Sequence, residues 1–115
     1  MMSLLVDQYG DPILMYRGWY AGADDFTQTY WTSDREYALT YDIAERPALY
    51  TAELNLRKAL YKKEINDVTD WNFDIDDLSE RGYDAIWNRS IQDEIIMYVF
   101  YNRCVKILKE EDILL

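Results

Sequence analysis

The chain contains a single cysteine, Cys104, and no histidine, which narrows the chemistry open to it. A lone thiol forms no disulfide within one chain, and without histidine neither a Cys/His zinc site nor a His-based triad can be assembled. No metal site is expected, and any general base must be one of the twenty-two Asp and Glu carboxylates or come from elsewhere. Four Trp and eleven Tyr supply rings that fill a core or stack on a flat ligand. With twelve Lys and Arg the formal charge is −10, so a small anionic ligand needs a local cation. That requirement draws attention to Arg17, which stands between Tyr16 and Gly18 at the end of an apolar run.

The same charge repels phosphate, and direct binding to DNA or RNA is not expected, because such affinity comes mostly from Lys and Arg neutralising phosphates. A basic protein partner remains open, as does simple solubility. At 115 residues, half of them hydrophobic, the chain is expected to be one domain over residues 1–115. No apolar stretch approaches the roughly 20 residues of a membrane helix, and the start lacks a basic-then-apolar secretory signature. These features point to a reducing cytoplasm and no membrane; oligomeric state is left open.

The elements that must position these residues follow from pattern. Residues 3–7 and 12–20 read as strands around the turn Tyr9-Gly10-Asp11-Pro12. In the second, period two sends Arg17 the opposite way to Tyr16, and Gly18 allows a close backbone approach. Residues 29–32 are aromatic and β-branched, a strand by composition. Ser33 and Glu36 have capping-box spacing ahead of a helix over 34–44 that Pro47 stops. Residues 48–56 alternate as a half-buried strand. Residues 57–74 hold a short helical turn and a long connection, and 76–81 form a short helix closed by Gly82. Three more strands are expected over 83–87, 94–101 and 104–108. Strands dominate, so the fold class is α+β with largely antiparallel pairing.

Taken in order, these segments resemble the ADP-ribosyltransferase superfamily, in particular its small phage-associated, polyvalent-protein-like branch. Val6-Asp7-Gln8-Tyr9-Gly10-Asp11-Pro12-Ile13-Leu14-Met15-Tyr16-Arg17-Gly18 resembles that branch's lead-in. Tyr30-Trp31-Thr32-Ser33-Asp34 with Ala38 and Tyr41 resembles its second motif, residues 48–60 the following strand, Gly82-Tyr83-Asp84-Ala85-Ile86 its Gly-Tyr-Asp-Gly segment, and residues 99–106 its closing strands. The resemblance spans nearly the whole chain. It implies split antiparallel sheets with two or three short helices, and NAD as co-substrate without a metal.

The resemblance also implies roles. Tyr16, Arg17 and Gly18 would lie under the adenosine half of NAD, with the Arg17 fork on ribose or pyrophosphate. A structural alternative is an Arg17 paired with a carboxylate. Tyr30 and Tyr41 would bracket nicotinamide, while Thr32 and Ser33 offer hydroxyls; Ser33 as helix cap, and Tyr37 and Tyr41 as packing residues, stay open. Glu94 would stabilise the oxocarbenium-like ribose, and Gln92 two residues earlier would position the acceptor. Counted back from residues 100–106, the Glu position falls instead on Ile96, two residues later on the same face. The implied function is mono-ADP-ribosylation of a host protein, in keeping with a phage anti-defence role. The alternative is an inactive domain of the same fold, acting as an acidic decoy that occludes a basic surface.

Overall fold

The computed structural model describes residues 3–6, 9–40, 46–61, 75–89 and 94–113. Along the chain run β1 (Ser3–Leu4), β2 (Met15–Tyr20), β3 (Thr29–Thr32), α1 (Arg35–Ala38), β4 (Pro47–Leu56), β5 (Ala59–Tyr61), α2 (Ile75–Glu80), β6 (Ala85–Arg89), β7 (Ile95–Val99), a 3-10 turn (Asn102–Cys104) and β8 (Val105–Asp112). The α+β class holds. The strands form one eight-stranded sheet in the order β1-β4-β2-β3-β7-β6-β5, with β8 also on β4.

Two sheet features depart from the expected split antiparallel arrangement. The ladder is continuous, and β5 pairs with β6 in parallel while the other named pairs are antiparallel. A parallel pair needs a crossover, and the chain between β5 and β6 makes it, carrying α2. Continuity across the middle is narrow: β2 and β3 share the one register pair Tyr16↔Thr32, whereas β2 meets β4 through six and β3 meets β7 through four. The sheet is thus pinched between β2 and β3 rather than divided.

The sheet also curls. β4 and β5 lie near opposite ends of the strand order, yet only Arg57 and Lys58 separate them in sequence. The turn between them is clamped by Asp84, which is 2 % exposed. Its carboxylate accepts from the backbone N–H of Arg57 at 2.7 Å and of Lys58 at 3.1 Å. Its own N–H donates to Lys58 O and its carbonyl oxygen accepts from Phe100 N–H. One residue therefore ties β4, β5, β6 and the end of β7 together.

Curling gives the sheet an inside and an outside. Alternation sends Met15, Trp31, Tyr50, Ala52, Leu54, Ala85, Met97 and Val99 into the interior, joined by Phe26 and Cys104. On the outside Leu78 of α2 packs with Ile86, Tyr98 and Phe100, and Tyr30 and Ile96 lie against them. Helix α2 ends on Gly82, whose φ of 90° suits the left-handed position after a helix, while Tyr83 N–H returns to Leu78 O at 3.0 Å.

Several boundaries differ from the pattern reading. Helix α1 is four residues, capped by Asp34, whose Oδ1 accepts from Glu36 N–H at 3.0 Å; the expected Ser33 cap is otherwise engaged, and residues 41–45 lie outside the described part. Pro47 opens β4 rather than merely ending a helix. Strand β5 falls where a helical turn was expected, and β8 continues past Leu108 through Lys109-Glu110-Glu111-Asp112. An exposed strand tolerates such a charged run because its outer face stays in water. No helix among the described residues is long and apolar enough to cross a membrane.

Candidate functional site

The pinch between β2 and β3 gathers most of the residues singled out from sequence. Tyr16 is in register with Thr32, and Thr32 with Ile96, so three strands present one row across their outer face. Tyr30 and Tyr98 form the neighbouring row, their rings 4.5 Å apart. Burial pushes the hydroxyl pKa of both upward, with the Tyr98 charge adding to the shift at Tyr30. Gly18 is buried in register with Leu49 of β4.

Beyond Thr32 the strands are stitched by a side chain. Ser33 N–H donates to Ile95 O at 2.9 Å, and Ile95 N–H donates to Ser33 Oγ at 2.8 Å. That exchange uses the hydroxyl which the capping box would need, so the cap passes to Asp34. Thr32 Oγ1 in turn accepts from Asp34 N–H at 3.1 Å. Thr32 and Ser33 are both part of the local framework.

Continuing that antiparallel register one step sets Asp34 opposite Glu94. Like charges facing each other across a strand pair are unfavourable when both are ionised, which favours the protonated form of Glu94. The Glu94 carboxyl is held above its ordinary range, first by its hydrogen bond with Asp34, then by burial and by the Asp34 charge. A carboxyl that keeps its proton because of a neighbouring carboxylate is a recurring device for acid/base work. Among the described residues no cluster of three or more potential metal ligands is present.

Arg17 is placed differently. It alternates with Tyr16 and Gly18, keeping to the inner side with Met15 and Trp19, and its guanidinium lies 4.4 Å above the Trp19 ring. From there Nη1 donates to Tyr30 O at 3.1 Å, across the pinch. The guanidinium thus serves a β3 carbonyl where the β2–β3 ladder has parted. Arg17 and Glu94 project from opposite faces of the curled sheet. Tyr41 and Gln92 lie outside the described residues.

Two residues escaped sequence reasoning. Asp34 sits inside the motif, but its partner sixty positions on is visible only through the Ser33–Ile95 pairing. Asp84 is the acidic residue of Gly82-Tyr83-Asp84, and a buried carboxylate after a helix-ending glycine was its signal. No protein-family model matches the sequence, and no curated protein or solved structure matches it significantly.

Proposed function

We propose that the chain is a mono-ADP-ribosyltransferase that uses NAD to modify a host protein, with its reacting centre at the β2–β3–β7 pinch. The observation that carries this reading is Glu94 paired with Asp34 at the end of the row Tyr16–Thr32–Ile96. Transfer breaks the bond between nicotinamide and C1′ of the ribose; nicotinamide leaves with the bonding electrons and positive charge develops on the sugar. An ionised carboxylate there stabilises the charge as it appears, and it acts on the transition state more than on bound NAD. The acceptor then bonds to C1′ and gives up a proton, which a neighbouring carboxylate can take.

The second reading, an acidic domain of the same shape that covers a basic surface without turnover, is favoured by Arg17. Its guanidinium is held by Tyr30 O and Trp19, which leaves the pyrophosphate of NAD without the cation the resemblance implied. One experiment separates the two readings. Labelled NAD is incubated with the protein and a host lysate, and label transfer is compared between wild type and Glu94→Gln. A labelled band that disappears in the variant supports transfer. Absence of label and of NAD hydrolysis in a folded wild type favours the occluding domain.

A further inference from the structure

With twenty-two carboxylates to twelve cations, a Lys or Arg in this chain is expected to find an acidic partner. Arg35, Arg81 and Lys109 do so and are ion-paired. Arg57, Lys58 and Arg103 depart from that expectation. All three are exposed, and among the described residues no carboxylate ion-pairs with their side chains. Two of them are seated on rings instead. The Arg103 guanidinium carbon lies 4.1 Å from the Tyr101 ring centroid, and Lys58 Nζ lies 4.2 Å from that of Tyr83.

The fold gathers the three around Asp84. Arg57 and Lys58 form the β4–β5 turn whose N–H groups the Asp84 carboxylate accepts. Tyr83 precedes Asp84, and Tyr101 follows Phe100, whose N–H donates to Asp84 O at 2.9 Å, so the two rings flank one hydrogen bond. Arg103 lies in the 3-10 turn beside Cys104, whose Sγ is 3.7 Å from Asp84 Oδ2. That turn is anchored, because Asn102 Oδ1 accepts from Phe26 N–H at 2.9 Å and Cys104 N–H returns to Tyr101 O at 3.1 Å. Burial and the Asp84 charge raise the Cys104 thiol pKa, and Arg103 and Arg57 both oppose the rise, which places the two guanidinium groups near one sulfur. Asp84 is buried with its oxygens turned to the β4–β5 turn and Cys104. The cations outside it keep their donors for solvent or a ligand.

A guanidinium stacked on a ring is held in place with its N–H edges outward, so a carboxylate meets a preorganised fork. Three cations spread over two turns of an exposed surface suit an extended chain of successive carboxylates better than one small anion. Nucleic acid fits poorly. One face of each ring, which a base would need for stacking, is taken by Lys58 or Arg103. A phosphate at every nucleotide would also run on into a surface of net charge −10. We infer that Arg57, Lys58 and Arg103 dock a short acidic segment of a partner protein, the two Arg forks and the Lys58 ammonium each taking a carboxylate. The inference is independent of NAD chemistry, since none of the three residues belongs to the β2–β3–β7 pinch.

The test titrates the full chain with hexaglutamate, hexaglutamine and hexathymidylate at about 20 mM salt, where exposed charges are weakly screened, and reads backbone amide shifts. Hexaglutamate should bind saturably with a Kd of about 1 mM or below and move the amides of Arg57, Lys58 and Arg103. Hexaglutamine should give no saturable shift. Arg103→Gln should weaken hexaglutamate by about threefold, and the combined Arg57→Gln, Lys58→Gln and Arg103→Gln variant by roughly tenfold or more, as expected for exposed charge pairs. Lys109→Gln removes the same charge from a cation already paired with Glu111 and should leave affinity within about 1.5-fold. Melting curves check that each variant is folded. The proposal is overturned by an absence of saturable shifts up to about 10 mM hexaglutamate, the weak end of specific association. Equal binding of hexaglutamine or hexathymidylate overturns it as well, as does an equal loss in Lys109→Gln. Dimerisation of the chain by itself that Arg103→Gln abolishes would assign the surface to a second copy, and this too overturns it.

Discussion

Arg17 Nη1 donates to Tyr30 O at 3.1 Å, spanning the place where β2 and β3 share only the Tyr16↔Thr32 pair. The contact makes Arg17 a brace before it is anything else. Arg17→Ala should lower stability without any ligand, by about 1–2 kcal/mol, because a charged donor to a partly buried carbonyl is lost together with the packing on Trp19. The check is urea denaturation of the free protein. If Arg17 also binds NAD, the variant loses affinity at temperatures where it is fully folded; if it is a brace alone, NAD affinity measured there is unchanged.

Tyr50 supplies a second, cleaner brace. Its hydroxyl donates to Tyr20 O at 2.7 Å and accepts from Ala23 N–H at 3.0 Å, so it holds the turn after β2 onto β4. Burial, followed by the nearby Glu110 carboxylate, pushes its pKa up to about 12. Tyr50→Phe keeps the ring and removes both bonds, and should cost about 1–2 kcal/mol. A loss no larger than that of a surface Tyr→Phe would show that water replaces the hydroxyl.

The strands were legible where one face is buried and alternation is regular. Residues 48–56 differ from β4 by one position, and residues 29–32 coincide with β3. Reading failed where tertiary pairing overrides local preference. The Ser33 hydroxyl resembles a cap in sequence, but Ile95 N–H claims it. Strand β5 has three residues, too few to display a period, and takes its form from its parallel partner β6. The run 109–112 looks like a solvated coil because its charges face water on both the strand and coil readings. For the candidate site, sequence singled out Tyr16, Thr32 and Glu94 but could not supply Asp34 as the neighbour of Glu94, since that neighbour exists only through register. Alternation gave the direction of Arg17, but its role was assigned by position in a motif, whereas the carbonyl it reaches follows from where the sheet parts.

Asp84 should be the most sensitive polar position among the described residues of the curl. Asp84→Ala leaves the N–H groups of Arg57 and Lys58 without their acceptor at a buried turn, a loss on the order of 3 kcal/mol or more. The melting temperature should fall by roughly 10 °C or more for a domain of this size. A change of only a degree or two would mean that the β4–β5 turn is held by other contacts.

Cys104 lies beneath the same carboxylate, its Sγ 3.7 Å from Asp84 Oδ2. Burial and then the Asp84 charge push the thiol up to about 11, so roughly one thiol in a thousand is ionised at pH 8. Alkylation of the folded protein at that pH should be slow and should follow the unfolding equilibrium, accelerating with urea in step with loss of structure. Rapid stoichiometric labelling in buffer would place the thiol at the surface.

The final prediction concerns the carboxyl pair, where pH separates its structural and catalytic consequences. Glu94 has its pKa raised in the folded state by Asp34, so its favourable contribution is present at low pH, where Glu94 is protonated and hydrogen-bonded to Asp34. It is lost as pH rises through the raised value, above which two carboxylates repel. Asp34→Asn removes one charge and keeps the helix cap, because Asn caps as well as Asp. The variant should therefore melt higher than wild type at pH 7, with the difference fading as pH falls and Glu94 takes up its proton. If transfer requires ionised Glu94, the wild-type rate rises with pH through that raised pKa, and Asp34→Asn moves the rising limb to lower pH. Glu94→Gln should reduce the rate about a hundredfold at saturating NAD while NAD binding persists, because the lost charge acts on a cation that exists only in the transition state. Rate–pH profiles of the three proteins, with melting curves at each pH, decide the matter. An Asp34→Asn profile that coincides with wild type would remove Asp34 from the control of Glu94, and a Glu94→Gln rate equal to wild type would remove Glu94 from the reaction.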